Sequence, residues 1–276
     1  MNRANTQRPC FRSPLFSTLA ASLLIAGCGG ELDEVQTDQS LNAVYGGTLA
    51  PAGYTPFMAS VQEGTSGKHK CGAVIVADQW LVTAGHCVYA SAPATLSVRV
   101  GSSQYASGGT LVPVSQVVLH PKFSLFSIEN DIAVLKLASR IPYSGSAHPT
   151  KLPQQFGDEP DGAKDLLFGW GATSAVNNTY TYSPDLLMAT VKVVNRTTCQ
   201  SSWGVPITGA VICAGTANKS SCPGDDGGPL MNGGGSMAVG IVAVSTCGQA
   251  TPAIYTRLGW HSLWIESATG GAVYGL

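Results

Sequence analysis

The residues of this chain that could do chemistry fall in three short segments. Leu81-Val82-Thr83-Ala84-Gly85-His86-Cys87 carries a histidine, and Asn130-Asp131-Ile132-Ala133-Val134-Leu135 carries an aspartate at the mouth of an apolar run. Cys222-Pro223-Gly224-Asp225-Asp226-Gly227-Gly228-Pro229 carries two adjacent aspartates in a glycine-rich loop. Histidine is the side chain suited to moving protons near neutral pH, and a carboxylate close to it favours its charged form. The apolar run after Asp131 points to a buried, partnered carboxylate rather than a surface one. Ser220 and Ser221 stand six and five residues before Asp226, and neither is placed to act as a nucleophile in its stead.

These segments must be held by strands. With 276 residues and 33 glycines, the chain is long enough for a large core and rich in turn formers. Short apolar, β-branched runs recur at 57–61, 72–76, 80–83, 95–100, 112–119 and 132–137. A polar, Pro/Gly-rich stretch over 143–164 separates them from a second series at 165–168, 187–194, 211–214, 229–232, 237–244 and 253–258. Turn residues punctuate both series, which predicts an all-β barrel or sandwich. Only residues 260–268 read as a helix, with Trp260, Leu263 and Trp264 on one face as packing residues.

The three chemical segments resemble the histidine, aspartate and nucleophile loops of the chymotrypsin/trypsin family of serine proteases. That family's nucleophile loop reads Gly-Asp-Ser-Gly-Gly-Pro, so Asp226 stands where its serine would be. Val44-Tyr45-Gly46-Gly47, Gly169-Trp170-Gly171, Ile212-Cys213-Ala214-Gly215 and Ile254-Tyr255-Thr256-Arg257 match further family motifs in the family's order. The resemblance covers residues 44–276 and implies two packed six-stranded antiparallel barrels with a cleft between them and a short C-terminal helix.

Residue by residue, the resemblance implies a catalytic base at His86, its orienting carboxylate at Asp131, and an oxyanion hole from the N–H groups of Gly224 and Asp226. Ser220, Ser245 and Ala253 fall in the specificity pocket, which is neutral because Ser220 is not an acid. Asp225 would pair with the ammonium of Val44 if the chain were cut after Ala43, or else be held by local backbone donors.

An aspartate is a poor replacement for the serine. Attack on a peptide by a carboxylate would form an anhydride, and loss of the nucleophile from such a triad costs about 10⁶-fold in kcat. Its charge also opposes a growing oxyanion: two unit charges about 4 Å apart repel by roughly 4 kcal/mol at an effective dielectric near 20, against about 3 kcal/mol from one oxyanion donor. The carboxylate is expected to turn to protonated His86 or into the oxyanion donors. The expected function is therefore that of a catalytically inactive protease homologue that binds a protein or peptide. The alternative is an active secreted serine-type endopeptidase.

The N-terminal segment gives the address. Residues 1–28 hold Arg3, Arg8 and Arg12, no acid, and an apolar run from Leu15 to Ile25, an export signal too short to span a bilayer. It ends in Leu24-Ile25-Ala26-Gly27-Cys28, which resembles a bacterial lipobox and implies a lipid anchor at Cys28 and an outer-membrane lipoprotein, or a secreted one if released after Ala43. Residues 29–43, with Glu31, Asp33, Glu34 and Asp38, read as a solvated tether. Beyond the signal remain 12 Lys and Arg against 16 Asp and Glu, a formal −4, which argues against nucleic-acid binding.

With Cys10 in the signal and Cys28 on lipid, six cysteines remain, an even number that suits disulfides in an exported domain. Six cysteines permit 15 connectivities. The family resemblance selects Cys71–Cys87, Cys199–Cys213 and Cys222–Cys247. No Cys-x-x-Cys pair occurs, and His69, His120, His148 and His261 have no ligand-like spacing, so neither a metal nor a cofactor is expected and these histidines read as surface or packing residues. The domain is expected to be a monomer.

Overall fold

The computed structural model describes residues 44–176 and 179–273. Cys28 and the tether lie outside them.

Six strands close the first barrel: β2 (Met58–Glu63), β3 (His69–Ala77), β4 (Trp80–Thr83), β5 (Leu96–Val100), β6 (Thr110–Leu119) and β7 (Ala133–Leu137). Their order is β2-β3-β4-β7-β6-β5, antiparallel throughout. The second barrel uses β8 (Lys164–Gly169), β11 (Leu187–Val194), β12 (Val211–Ala214), β13 (Pro229–Met231), β14 (Ala238–Val244) and β15 (Ala253–Arg257). It runs β11-β12-β15-β14-β13-β8 and closes because β8 also pairs with β11. A two-residue strand, β1 (Thr48–Leu49), adds to β11.

Alternation in the sequence sets the inward faces. Along β11, Leu187, Ala189, Val191 and Val193 are buried while Thr190 and Lys192 face outward, the period-2 pattern of a half-buried strand. Along β8, Leu167 enters the second barrel's core, whereas Leu166 and Phe168 join the apolar cluster that continues from the first barrel. That shared cluster, which also takes Met231, Ile241 and Leu258, fixes one barrel on the other and so fixes the cleft between them.

The runs named from the sequence match every barrel strand to within a few residues, but they leave out several smaller elements, among them a hairpin and two helices. The hairpin β9 (Ala172–Val176) with β10 (Thr179–Tyr182) is polar, and polarity hides a strand pattern. Helix α2 (Arg196–Trp203) buries only Cys199, so it has almost no apolar stripe; Asn195 caps it by accepting from Thr197 N–H at 2.9 Å, and Gly204 ends it at φ +68°. The one-turn helix α1 (Gly85–Val88) carries His86.

The C-terminal helix α3 (Leu258–Ala268) forms where expected; of its three expected packing residues Trp264 packs on the core and against His120, whereas Trp260 and Leu263 do not. Trp260 and Leu263 are 42% and 60% exposed, while Leu258, His261, Ser262 and Ile265 turn inward. Trp260 instead lies on the surface against Phe156 and the Arg257 guanidinium. Below it, Asp158 takes ion pairs from Arg196 and Arg257 at 2.8 and 2.5 Å, tying the connector over 143–164 to α2 and to the end of β15.

Candidate active site

All three disulfides form as the resemblance implied: Cys71–Cys87, Cys199–Cys213 and Cys222–Cys247. Two of them serve the cleft. Cys71–Cys87 fastens the residue after His86 to β3, and Cys222–Cys247 joins the Asp226 loop to the segment leaving β14. Closing loops of 16 and 25 residues constrains the unfolded chain by about 3 kcal/mol each.

His86 and Asp131 meet at the end of the first barrel. Asp131, buried just before β7, accepts the backbone N–H of His86 on Oδ1 at 2.8 Å and pairs with its ring Nδ1 through Oδ2 at 2.6 Å. Its own carbonyl accepts the hydroxyl of buried Thr256 at 2.9 Å, a tie from the second barrel. With Nδ1 held on the carboxylate, the other ring nitrogen, Nε2, lies 3.7 Å from the disulfide sulfur of Cys87. Burial pulls the imidazole pKa down, but the hydrogen bond and charge of Asp131 and the charge of Asp226 together outweigh it, and the net shift is upward.

The Asp226 loop approaches from the second barrel. Gly72 N–H of β3 donates to the Asp226 carbonyl at 2.8 Å, so the two barrels meet at this residue through their backbones. The half-buried carboxylate turns back into its own loop: Oδ2 accepts Gly224 N–H at 3.3 Å and Oδ1 accepts the Ser245 hydroxyl at 3.1 Å. Among the described residues it makes no hydrogen bond to His86. Of the two orientations expected, the structure takes the one into the loop's donors. Burial raises the Asp226 pKa, partly offset by the charge of His86 and by these two hydrogen bonds.

Gly224 sits at φ +98°, a conformation open to glycine, and a Cβ there would come within 2.9 Å of the Tyr182 ring. Its carbonyl accepts from His69 Nε2 at 2.8 Å, and the other ring nitrogen of His69 meets Ser60 Oγ at 2.8 Å. His69 is the packing residue expected, its ring against Tyr105 and Trp170, and it has the further role of a prop under the loop; burial lowers its pKa to about 4, so it is neutral there. Its position two residues before a cysteine bonded to the histidine segment was the available signal. Tyr182, on the hairpin that the sequence hid, was missed for the same reason as the hairpin.

Asp225 is fully buried and points away from the cleft. Its oxygens accept the N–H groups of Gly171 and Cys222, each at 2.8 Å, so the local backbone holds it. In the uncut chain the nitrogen of Val44 is an amide, and the Val44 side chain packs in the second barrel's core. Burial raises the Asp225 pKa to about 7 against the pull of the two N–H groups.

Of the pocket residues, Ser220 is buried with Oγ accepting Gly248 N–H at 2.7 Å, and Ala253 is buried in the second barrel's core. Ser245 reaches the cleft, where its hydroxyl is shared between Asp226 and the Cys222 carbonyl. Beside His86 and Asp131 a cavity of about 330 Å³ is lined by Leu125, Phe126, Ile128, Ala243 and Val244. The cluster of Cys71, Cys87 and His86 brings three metal-ligand types together, but the two sulfurs are bonded to each other and offer no thiolate.

A family model described as Trypsin matches residues 44–265. The chain belongs to the trypsin family. Trypsin of Phaedon cochleariae is 34% identical over 261 residues, covering 91% of this chain and 98% of that protein, and trypsin 5G1 of Aedes aegypti is 36% identical over 239 residues, covering 84% and 87%. Among solved structures, mouse neuropsin, a serine protease, superposes with a TM-score of 0.73 at 26% identity, covering 81% of this chain and 98% of its own. The two closed barrels and the C-terminal helix are those of a trypsin-like serine endopeptidase fold, and the three disulfides fit an exported trypsin-like protein.

Proposed function

We propose that this trypsin-fold protein does not cut peptides and instead holds a protein or peptide in its cleft. In this reading His86, Asp131 and the N–H groups of Gly224 and Asp226 are the remains of a hydrolytic site, with Asp226 in the place of the nucleophile. One observation carries the proposal: Asp226 Oδ2 accepts Gly224 N–H, so a carboxyl oxygen already takes up one of the donors that an oxyanion would need. Hydrolysis then lacks a competent nucleophile and its electrostatic stabilisation together. The proposal includes export by residues 1–28, a lipid anchor at Cys28 and residues 29–43 as the tether, with the outer membrane of a bacterium as the address.

The test is turnover. Mature protein is expected to leave casein and short ester substrates intact, while Asp226→Ser, after cleavage between Ala43 and Val44, gains measurable esterase activity. The relatives named trypsin give the alternative, an active endopeptidase, its footing. Wild-type hydrolysis that disappears in His86→Ala would establish that alternative.

A further inference from the structure

The cleft sets two carboxylates, Asp131 and Asp226, against one imidazole. Asp131 and Asp226 both act on His86, and one imidazolium can neutralise only one carboxylate. Asp131 holds it, through two hydrogen bonds. Asp226 is left with two neutral donors, Gly224 N–H at 3.3 Å and Ser245 Oγ at 3.1 Å. A carboxylate has about four acceptor sites, so its remaining lone pairs have no partner in these bonds. The cavity next to His86 has no Lys or Arg in its lining. Asp226 does not line that cavity itself but is joined to it through Ser245, which donates to Asp226 and directly follows Ala243 and Val244 of the lining; a carboxylate set next to apolar lining in this way favours a ligand that brings both a cation and hydrocarbon.

Resting on the reading that the cleft binds polypeptide without cutting it, we propose that it captures a free α-amino terminus whose first side chain is large and apolar. The ammonium sits on the free lone pairs of Asp226, and the side chain enters the groove of Leu125, Phe126, Ile128, Ala243 and Val244. A carbonyl is a poor occupant of this place: Gly224 N–H is already given to Asp226, and a carbonyl oxygen would face a carboxylate oxygen. An α-ammonium has three donors and a full charge in a compact group. Its own side chain begins one bond away on the α-carbon, so one terminal residue supplies both features that the cleft presents. About 330 Å³ of groove is ample for a leucine or phenylalanine side chain.

Isothermal titration of the mature protein at pH 6.5, where an α-amino group is charged, tests this with three peptides. They are Leu-Ala-Ala-Ser-Gly with a free terminus, the same peptide acetylated, and an acetylated version with lysine at the third position. The free-terminus peptide is expected to bind at least 10-fold more tightly than its acetylated twin, and the ratio is expected to fall to within about 2-fold in Asp226→Asn. Equal binding of the first two would overturn the capture of a terminus while leaving peptide binding intact. Tightest binding of the acetylated lysine peptide would move the cation from the terminus to a side chain and also overturn it. No binding of any peptide to the wild type would overturn both this inference and the reading on which it rests. The acetylation comparison needs only the wild type, so it stands even if Asp226→Asn folds poorly.

Discussion

On the proposed reading, Asp226 matters for its charge as much as for the hydroxyl it lacks. The imidazole of His86 lies between Asp131, which it touches at 2.6 Å, and Asp226, which it feels without a hydrogen bond. Since its folded pKa is raised, the stability that His86 contributes is fully present below its unfolded pKa and is lost as pH rises through the folded one. Asp226→Asn removes one of the charges behind that rise. The His86 pKa is therefore expected to drop, and this part of the stability profile to move to lower pH, as read by NMR titration of the ring. An unchanged pKa in Asp226→Asn would mean that Asp131 alone sets the protonation of His86. Asp226 itself is shifted upward by burial, so acid also quiets the charge that the proposed ammonium needs, and binding of the free-terminus peptide is expected to weaken at low pH.

At the scale of elements, the site depends on loops that a rigid pair of barrels brings together. The Gly169-Trp170-Gly171 turn after β8 wraps the Asp225 carboxylate so closely that a Cβ on Gly171 would lie 2.5 Å from Asp225 Cγ. Both partners are buried and the carboxylate is fixed by two N–H groups, so neither can give way. Gly171→Ala is expected to destabilise the protein by about 3 kcal/mol, the upper range of overpacking, as measured by urea unfolding. A loss under about 0.5 kcal/mol would show that the turn can shift.

The barrel strands were legible because their apolar residues alternate or run together. His86, Asp131 and Asp226 were legible because each lies in an ordered motif. The hairpin of β9 and β10 and helix α2 lack such a pattern, and with the hairpin went Tyr182. The exposed Trp260 has another cause: side chains at i, i+3 and i+4 share a face of a helix, but the spacing alone does not say which face the barrel covers, and here it covers Leu258, His261 and Ile265.

For the whole molecule, the stability balance includes a second buried carboxylate that the cleft does not use. Asp165 on β8 is fully buried, and neither of its oxygens is in a well-formed hydrogen bond among the described residues, although the Gly233 backbone N–H acts on it and partly offsets the rise described next. Burial, with the charge of Glu159, raises its pKa to about 7. A carboxyl raised in this way is neutral and harmless in acid, and it costs stability as pH climbs from its unfolded value, near 4, to about 7. Asp165→Asn is expected to raise the melting temperature by several degrees more at pH 8 than at pH 4, by scanning calorimetry; an equal change at both would mean that Asp165 finds a partner when ionised. The proposed lipid anchor is a separate matter of the N-terminal segment: Cys28→Ser is expected to abolish membrane retention, read by fractionation and by mass spectrometry of the mature N-terminus. The central claim, that Asp226 leaves a trypsin fold without a working nucleophile, is tested most directly by a fluorophosphonate probe on the mature protein cut after Ala43. No label is expected on the wild type and label at position 226 on Asp226→Ser; stoichiometric labelling of the wild type, lost in His86→Ala, would contradict the account.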